Sequence, residues 1–232
     1  MTLPKKRQKE KVQKREHGEV LASSVRIPMR SQGRIFVCRN AILCYSGVVL
    51  YTRKGDSGTT KVLDSQARFS KSAPRAEALG SLDELNSFLG LCKAKSRGED
   101  VEFFDDQKLF ECIEEVQQNL FIVQAQVAGD AKEIAEEKVK RVEQIVDWVE
   151  KEIPKITGFS IVGGTELSAF LDVARAMSRR VERRVVALNE SEERKMSGHT
   201  LSYLNRLSSL LFALARLVNH RAGVKEKNPT YR

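Results

Sequence analysis

Apolar residues recur at intervals of three and four over five separate stretches of this chain. Leu79, Leu82, Leu85, Phe88, Leu89 and Cys92 form the first set, and Leu109, Ile113, Val116, Leu120, Val123 and Val127 the second. Ile134, Val139, Val142, Ile145, Val146 and Val149 form the third. Leu167, Leu171, Ala174, Ser178, Val181 and Val185 form the fourth, and Leu201, Leu204, Leu207, Leu211, Leu214 and Val218 the fifth. That period puts each set on one face of a helix. It predicts helices over about 74–98, 105–128, 131–152, 165–188 and 198–221. The punctuation agrees: Pro74 suits a first helical turn, Gly129 a C-cap, Pro154 a stop and Thr165 an N-cap. Five amphipathic helices on short connections must bury their stripes against one another. The expected fold is therefore all-α, an antiparallel five-helix bundle. The body shows no strand alternation and no internal repeat, and no apolar run reaches the length of a membrane span.

A chain of 232 residues holds one such domain plus an extra segment. The net charge of +9 is unevenly spread: residues 1–50 carry 11 Lys and Arg against 3 Glu, and residues 51–232 carry 29 against 28 acidic groups. A nearly neutral body argues against nucleic-acid binding by the folded part. The basic leader spans 1–50, the helical domain 51–224 and a tail 225–232. The leader opens on a Lys/Glu-rich charge run. It continues from Leu21 to Leu50 without an acid, with Arg26, Arg30, Arg34 and Arg39 among serines and apolar residues. That composition reads as a mitochondrial targeting segment or as an ordinary disordered tail. The first implies the matrix, the second the cytoplasm.

Four cysteines (Cys38, Cys44, Cys92 and Cys112) form no CxxC pair, and the three histidines are far apart, so no zinc spacing exists and no metal site is expected. Cys92 and Cys112 fall within helical stripes and read as core thiols.

Four places carry polar residues that the core does not require. Residues 51–72 read as a loop. Within it, Tyr51-Thr52-Arg53-Lys54-Gly55-Asp56-Ser57-Gly58-Thr59-Thr60 combines two glycines, three threonines and two cations. Such a loop turns backbone N–H groups toward one point and suits a polyphosphate, although it is not a Walker A sequence. A plain flexible loop has the same composition. The fourth helix carries Arg175, Arg179, Arg180, Arg183 and Arg184 with Glu182. Five arginines in ten residues need anions, supplied either by a bound phosphate or by glutamates on neighbouring helices. Asp83-Glu84 lies beside the first stripe, where surface ion pairing is the plain account. Asn205 and Arg206 interrupt the leucines of the last helix.

Together these blocks resemble the trimeric, propanediol-utilisation type of corrinoid adenosyltransferases, the ATP:cob(I)alamin adenosyltransferases. The matching blocks are the loop from Tyr51 to Thr60 and Pro74-Arg75-x-Glu77-Ala78-x-Gly80-x-x-Asp83-Glu84-Leu85-Asn86-Ser87. They continue with Gly163-Gly164-Thr165-Glu166-Leu167, Ala174-Arg175-x3-Arg179-Arg180-x-Glu182-Arg183 and Tyr203-Leu204-Asn205-Arg206-Leu207-Ser208. They run in the family's order from 51 to about 221.

The resemblance implies a five-helix bundle, a homotrimer and ATP bound at subunit interfaces. It implies transfer of the 5′-deoxyadenosyl group from ATP to cobalt(I) of cobalamin, with Mg²⁺ on the triphosphate and with a reductase and an adenosylcobalamin-dependent mutase as partners. By the same resemblance Thr52, Arg53, Lys54, Gly55, Asp56, Gly58, Thr59 and Thr60 wrap the triphosphate, and Arg68 and Lys71 add basic contacts. Arg179 holds the phosphates with Glu182 and Asn205 nearby. Asp83 pairs with Arg175 of a neighbouring subunit, and Phe159 forms an aromatic wall against the corrinoid's lower face. Three positions depart from the family pattern: Val162 for a Pro, Lys54 for a Thr and Ser209 for an Asp. Val162 and Ser209 bear on the corrinoid side. The residues alone leave two other readings open, a nucleotide-binding adaptor without corrinoid chemistry and a structural bundle.

Overall fold

The computed structural model describes residues 36–37, 43–44, 51–98, 103–191 and 193–231. Most of the leader, and with it the targeting expectation, lies outside them. Within the leader two short strands, β1 (Phe36–Val37) and β2 (Leu43–Cys44), pair antiparallel.

Five helices follow: α1 (Pro74–Ser96), α2 (Leu109–Val127), α3 (Glu136–Glu152), α4 (Glu166–Glu190) and α5 (Gly198–Arg221). The five-helix, all-α expectation is met. α4 packs on both α1 and α5, α2 lies against α1, and α3 lies against α5. The apolar stripes close into one core in which Leu82, Leu85, Leu120, Val181, Leu204 and Leu211 are fully buried. Among the described residues no helix is long and apolar enough to cross a membrane.

The ends of the helices obey local chemistry. Pro74 opens α1. Thr165 Oγ1 accepts from the Ser168 amide at 3.1 Å, and Ser197 Oγ accepts from the Thr200 amide at 3.3 Å, each relieving one orphan donor. Gly129 follows α2 at φ 105°, and a Cβ there would meet the Asp64 side chain at 2.4 Å. Only glycine serves at that point.

Two helix starts differ from the spacing. α2 begins at Leu109 instead of near 105, because Asp105 and Asp106 take φ near +60° inside a short 3₁₀ turn (Phe104–Asp106). Phe103, just before the turn, meets Trp148 of α3 edge to face and Phe104 meets it at a tilt, with ring centroids 5.2 and 5.8 Å apart. α3 begins at Glu136 instead of near 131. Ile134 is fully buried, and its amide donates 3.3 Å to Thr200 Oγ1 of α5, so it enters the core from the non-helical residues ahead of α3.

The segment read as a loop holds a small hairpin, β3 (Thr59–Thr60) with β4 (Phe69–Ser70). It is tied to the bundle by the Leu63 amide donating to the Ala128 carbonyl at 3.1 Å. Arg75 adds bonds to the Val127 carbonyl and to Asp64 Oδ2, both at 2.7 Å.

Candidate active site

The glycine loop is a built turn. Arg53 sits at φ 57° and Gly58 at φ 75°. The amides of Asp56 and Gly58 donate back to the carbonyls of Arg53 and Gly55, at 3.3 and 3.1 Å. Arg68 clamps Thr59 twice, through Nε to Oγ1 at 2.8 Å and through Nη2 to the carbonyl at 2.6 Å. The Lys71 amide donates to the Gly58 carbonyl at 2.9 Å, and its Nζ would lie 3.2 Å from a Cβ on Gly55. Arg68 and Lys71 are thus brought onto the loop. Thr52, Arg53, Lys54, Asp56 and Gly58 are exposed, and Gly55, Thr59 and Thr60 are half-buried. The loop presents cations, hydroxyls and turned backbone to solvent, which suits an extended anion.

The arginines of α4 divide between two faces. Arg180 pairs with Glu84 and Arg184 with Glu77, both on α1. For these two the ion-pair account holds. Arg183 Nη1 donates to the Arg179 carbonyl at 3.1 Å. Arg175 and Arg179 turn the other way. They line a groove of about 320 Å³ between α3, α4 and α5, together with Val149, Ile153, Ser209 and Phe212. Among the described residues no carboxylate pairs with Arg179. Arg175 has Asp172 Oδ1 at 4.0 Å and the Phe212 ring centroid at 6.0 Å, and its buried Nε has no hydrogen-bond partner.

Across the α4–α5 seam Asn205 Nδ2 donates to Glu182 Oε1 at 2.8 Å, so these two expected site residues touch. Asp83 is exposed and makes no ion pair among the described residues, while its neighbour Glu84 does. Phe159 is 79% exposed on the loop between α3 and α4, beside exposed Ile161 and Val162.

The four blocks do not meet in one cavity of a single chain. The glycine loop sits where α1 begins and α2 ends, and none of its residues lines the groove that holds Arg175 and Arg179. Two contributors were missed by the sequence reading. Phe212 supplies an aromatic face to both Arg175 and Arg216, and buried Asp172 sits one turn before Arg175. Asp172 could have been noticed as an acid on an apolar stripe. Phe212 among leucines carries no such signal.

Residues 50–218 match the family model described as cobalamin adenosyltransferase. A corrinoid adenosyltransferase of Bacillus subtilis is 39% identical over 180 residues, covering 75% of this chain and 89% of the relative. Corrinoid adenosyltransferase PduO of Citrobacter freundii is 35% identical over 75% of this chain, which spans about half (51%) of that relative. Among solved structures, a variant PduO-type ATP:corrinoid adenosyltransferase from Lactobacillus reuteri, complexed with cobalamin and ATP, superposes with a TM-score of 0.69. It is 31% identical, over 78% of this chain and 99% of that one. With five helices in the same architecture and a match over most of its length, this chain belongs to the cobalamin adenosyltransferase family.

Proposed function

We propose that this protein is an ATP:cob(I)alamin adenosyltransferase, moving the 5′-deoxyadenosyl group of ATP to cobalt(I) of a corrinoid and releasing triphosphate. The observation that carries the reading is Arg179. It lines the groove and makes no ion pair among the described residues, while Arg180 and Arg184 on the same helix are neutralised. A cation that no carboxylate neutralises, beside a groove with apolar walls from Val146, Val149, Ile153 and Phe212, suits a phosphate chain next to a large flat apolar ligand.

In the proposed step the cobalt(I) electron pair attacks C5′ in line. A Co–C bond forms, the C5′–O bond breaks, and triphosphate leaves with that bond's electron pair. Cobalt supplies the nucleophile, so the chain's residues need only position and stabilise. Arg179, the loop hydroxyls of Thr52, Thr59 and Thr60, and the cations Arg53, Lys54, Arg68 and Lys71 offset charge on the leaving group. Glu182 and Asn205 shape the nucleotide pocket. Holding both reactants in line can itself lower the barrier by roughly 7–11 kcal/mol at best. Phe159 covers the corrinoid's lower face, removing the lower ligand and easing reduction of cobalt(II).

The separation of the glycine loop from Arg179 within one chain supports a site shared between subunits. In a homotrimer, the loop of one subunit faces the groove of the next, and the unpaired Asp83 meets Arg175 across the interface. Magnesium fits as an ion carried by the triphosphate. No group of three or more His, Cys, Asp or Glu among the described residues could cage a metal, and Asp56 is the carboxylate on the loop. A reductase supplies cobalt(I) and a mutase accepts the product. The basic leader directs the chain to the mitochondrial matrix if it is a targeting segment; otherwise the protein is cytoplasmic.

The test is an anaerobic spectral assay with MgATP and chemically reduced cobalamin. Adenosylcobalamin with stoichiometric triphosphate is expected. ATP binding without product would instead mark a nucleotide-binding adaptor.

A further inference from the structure

One buried amide joins the Phe159 loop to the chain beyond α5. Asn219 is fully buried. Its Nδ2 donates to the Gly163 carbonyl at 2.8 Å and to Glu226 Oε1 at 2.7 Å, and its Oδ1 accepts from the Thr165 amide at 3.0 Å. Asp172 Oδ2 accepts from the Gly163 amide at 3.3 Å and from Arg216 Nη2 at 2.7 Å. Arg216 Nε lies 2.7 Å from Glu226 Oε1. A second strut is backbone to backbone, with the Ile161 amide donating to the Lys227 carbonyl at 2.8 Å. Gly164, at φ 120°, admits the amide because a Cβ there would stand 2.4 Å from Asn219 Oδ1.

These bonds fix a segment whose side chains cannot fix it. Phe159, Ile161 and Val162 all point largely to solvent, so apolar packing does not set the loop's position. Between the loop and the returning chain lies a cavity of about 280 Å³, lined by Pro154, Gly158, Ser160, Arg216, Val224 and Asn228. The two segments are therefore bridged by polar struts across a gap. The residue before Phe159 is itself flanked by the returning chain, since a Cβ on Gly158 would lie 3.3 Å from Asn228 Nδ2.

We infer that Asn219 and Glu226 are positioning residues for adenosylation. They lock residues 158–164 against residues 224–228 and thereby set where Phe159 stands against the corrinoid. The inference rests on the adenosyltransferase reading. It also gives a role to the segment 225–232, which reads as a tail by sequence alone. A misplacement of about 1 Å at a reacting centre can cost on the order of 100-fold in rate. A clamp on this loop should act on the corrinoid and leave the nucleotide alone.

The experiment compares the full-length chain with Glu226→Ala and Asn219→Ala. Glu226 is half-buried and follows the last helix, and its removal deletes no apolar core contact and leaves Arg216 paired with Asp172, so it remains testable even if Asn219→Ala fails to fold. Tryptic cleavage after Lys225 and Lys227 reads release of the strut without any turnover. In Glu226→Ala cleavage should accelerate, and kcat/KM for cob(I)alamin should fall by roughly 10- to 100-fold while KM for ATP stays within about twofold. The visible spectrum of bound cobalt(II) with ATP should show more of the form that keeps its lower ligand. Faster cleavage with unchanged corrinoid parameters overturns the positioning role, and so does an equal loss toward both substrates. If the unaltered protein makes no adenosylcobalamin, the enzymatic reading fails first, and unchanged cleavage in the variant would separately remove the clamp.

Discussion

Asn205 and Glu182 are joined across the α4–α5 seam by a 2.8 Å bond from Nδ2 to Oε1, one helical turn beyond Arg179. Arg206 fixes the other end of the same amide, donating from Nη1 to Asn205 Oδ1 at 2.7 Å and from Nε to Glu143 Oε1 at 2.9 Å. Three helices thus share one polar cluster, and Arg179, one turn before Glu182 on α4, makes no ion pair among the described residues.

Arg179→Ala should therefore weaken catalysis far more than folding. An exposed arginine adds little to stability, under about 1 kcal/mol. Loss of one preorganised charge at a leaving group costs on the order of 100-fold or more in kcat. Steady-state kinetics and a thermal melt at fixed protein concentration check this. Activity and melting temperature falling together would sink the assignment.

Phe159→Ala should spare ATP binding and slow adenosylation, because the ring is 79% exposed and buries little in the free chain. Isothermal titration with MgATP should give an unchanged affinity. Turnover with cobalamin starting from cobalt(II) should drop more than turnover starting from chemically prepared cobalt(I). Normal turnover from both would refute the aromatic wall.

Much of this was legible in the chain itself. Periodicity located all five helices, and Thr165 and Gly129 punctuate as their chemistry requires. The errors fell where long-range contacts override local pattern. Ile134 belongs to a helical-looking stripe, yet its amide is held by Thr200, 66 residues away, and α3 starts later. Asp105 and Asp106 take left-handed backbone that allows Phe103 and Phe104 to reach Trp148. At the site, composition could not separate Arg175 and Arg179 from Arg180 and Arg184. That separation depends on which helices flank α4, and only the fold shows Glu77 and Glu84 on one side and a groove on the other. The Asn219 clamp was invisible for the same reason, since its partners are 54 to 56 residues away or follow the last helix.

Cys92 and Cys112 should resist alkylation in the folded protein. Burial pushes both thiols up to about 12, so almost no thiolate exists near neutral pH. Iodoacetamide at pH 8 should label neither within the time that labels both in urea, as read by mass spectrometry. Rapid labelling of either in the native state would place it outside the core.

The Asp64–Arg75 pair ties the glycine loop to α1, and its contribution should depend on pH in one direction. The hydrogen bond from Arg75 is the main cause that lowers the Asp64 pKa below its ordinary value. A depressed carboxylate stabilises the fold fully above its unfolded pKa near 3.8 and loses that contribution as pH falls below it. Asp64 is about one-third exposed, so screening keeps the effect to roughly 1 kcal/mol. Asp64→Asn should lower the urea midpoint at pH 7, and the gap from the unaltered protein should close toward pH 3. A gap that persisted unchanged at pH 3 would contradict the assignment.

The buried pair of Asp172 and Arg216 makes the sharpest stability prediction. Both side chains are at most 4% exposed, and they meet at 2.7 Å. Asp172 also receives the Gly163 amide, while Arg216 keeps Nη1 without any hydrogen-bond partner. Taking one charge away leaves the other buried and poorly compensated, at a typical cost of about 3–5 kcal/mol. Glu226 can offset part of this for Arg216, because its carboxylate lies 2.7 Å from Nε. Asp172→Ala should therefore fall at the lower end of that range, and Arg216→Met, which strands two carboxylates, at the upper end. The double variant Asp172→Leu with Arg216→Met restores apolar volume and removes both desolvated charges, so it should cost less than the two single changes added together. Urea midpoints at one protein concentration, with unchanged slopes, measure all three. Strict additivity would mean that the two groups do not depend on each other and that the 2.7 Å contact contributes no coupling.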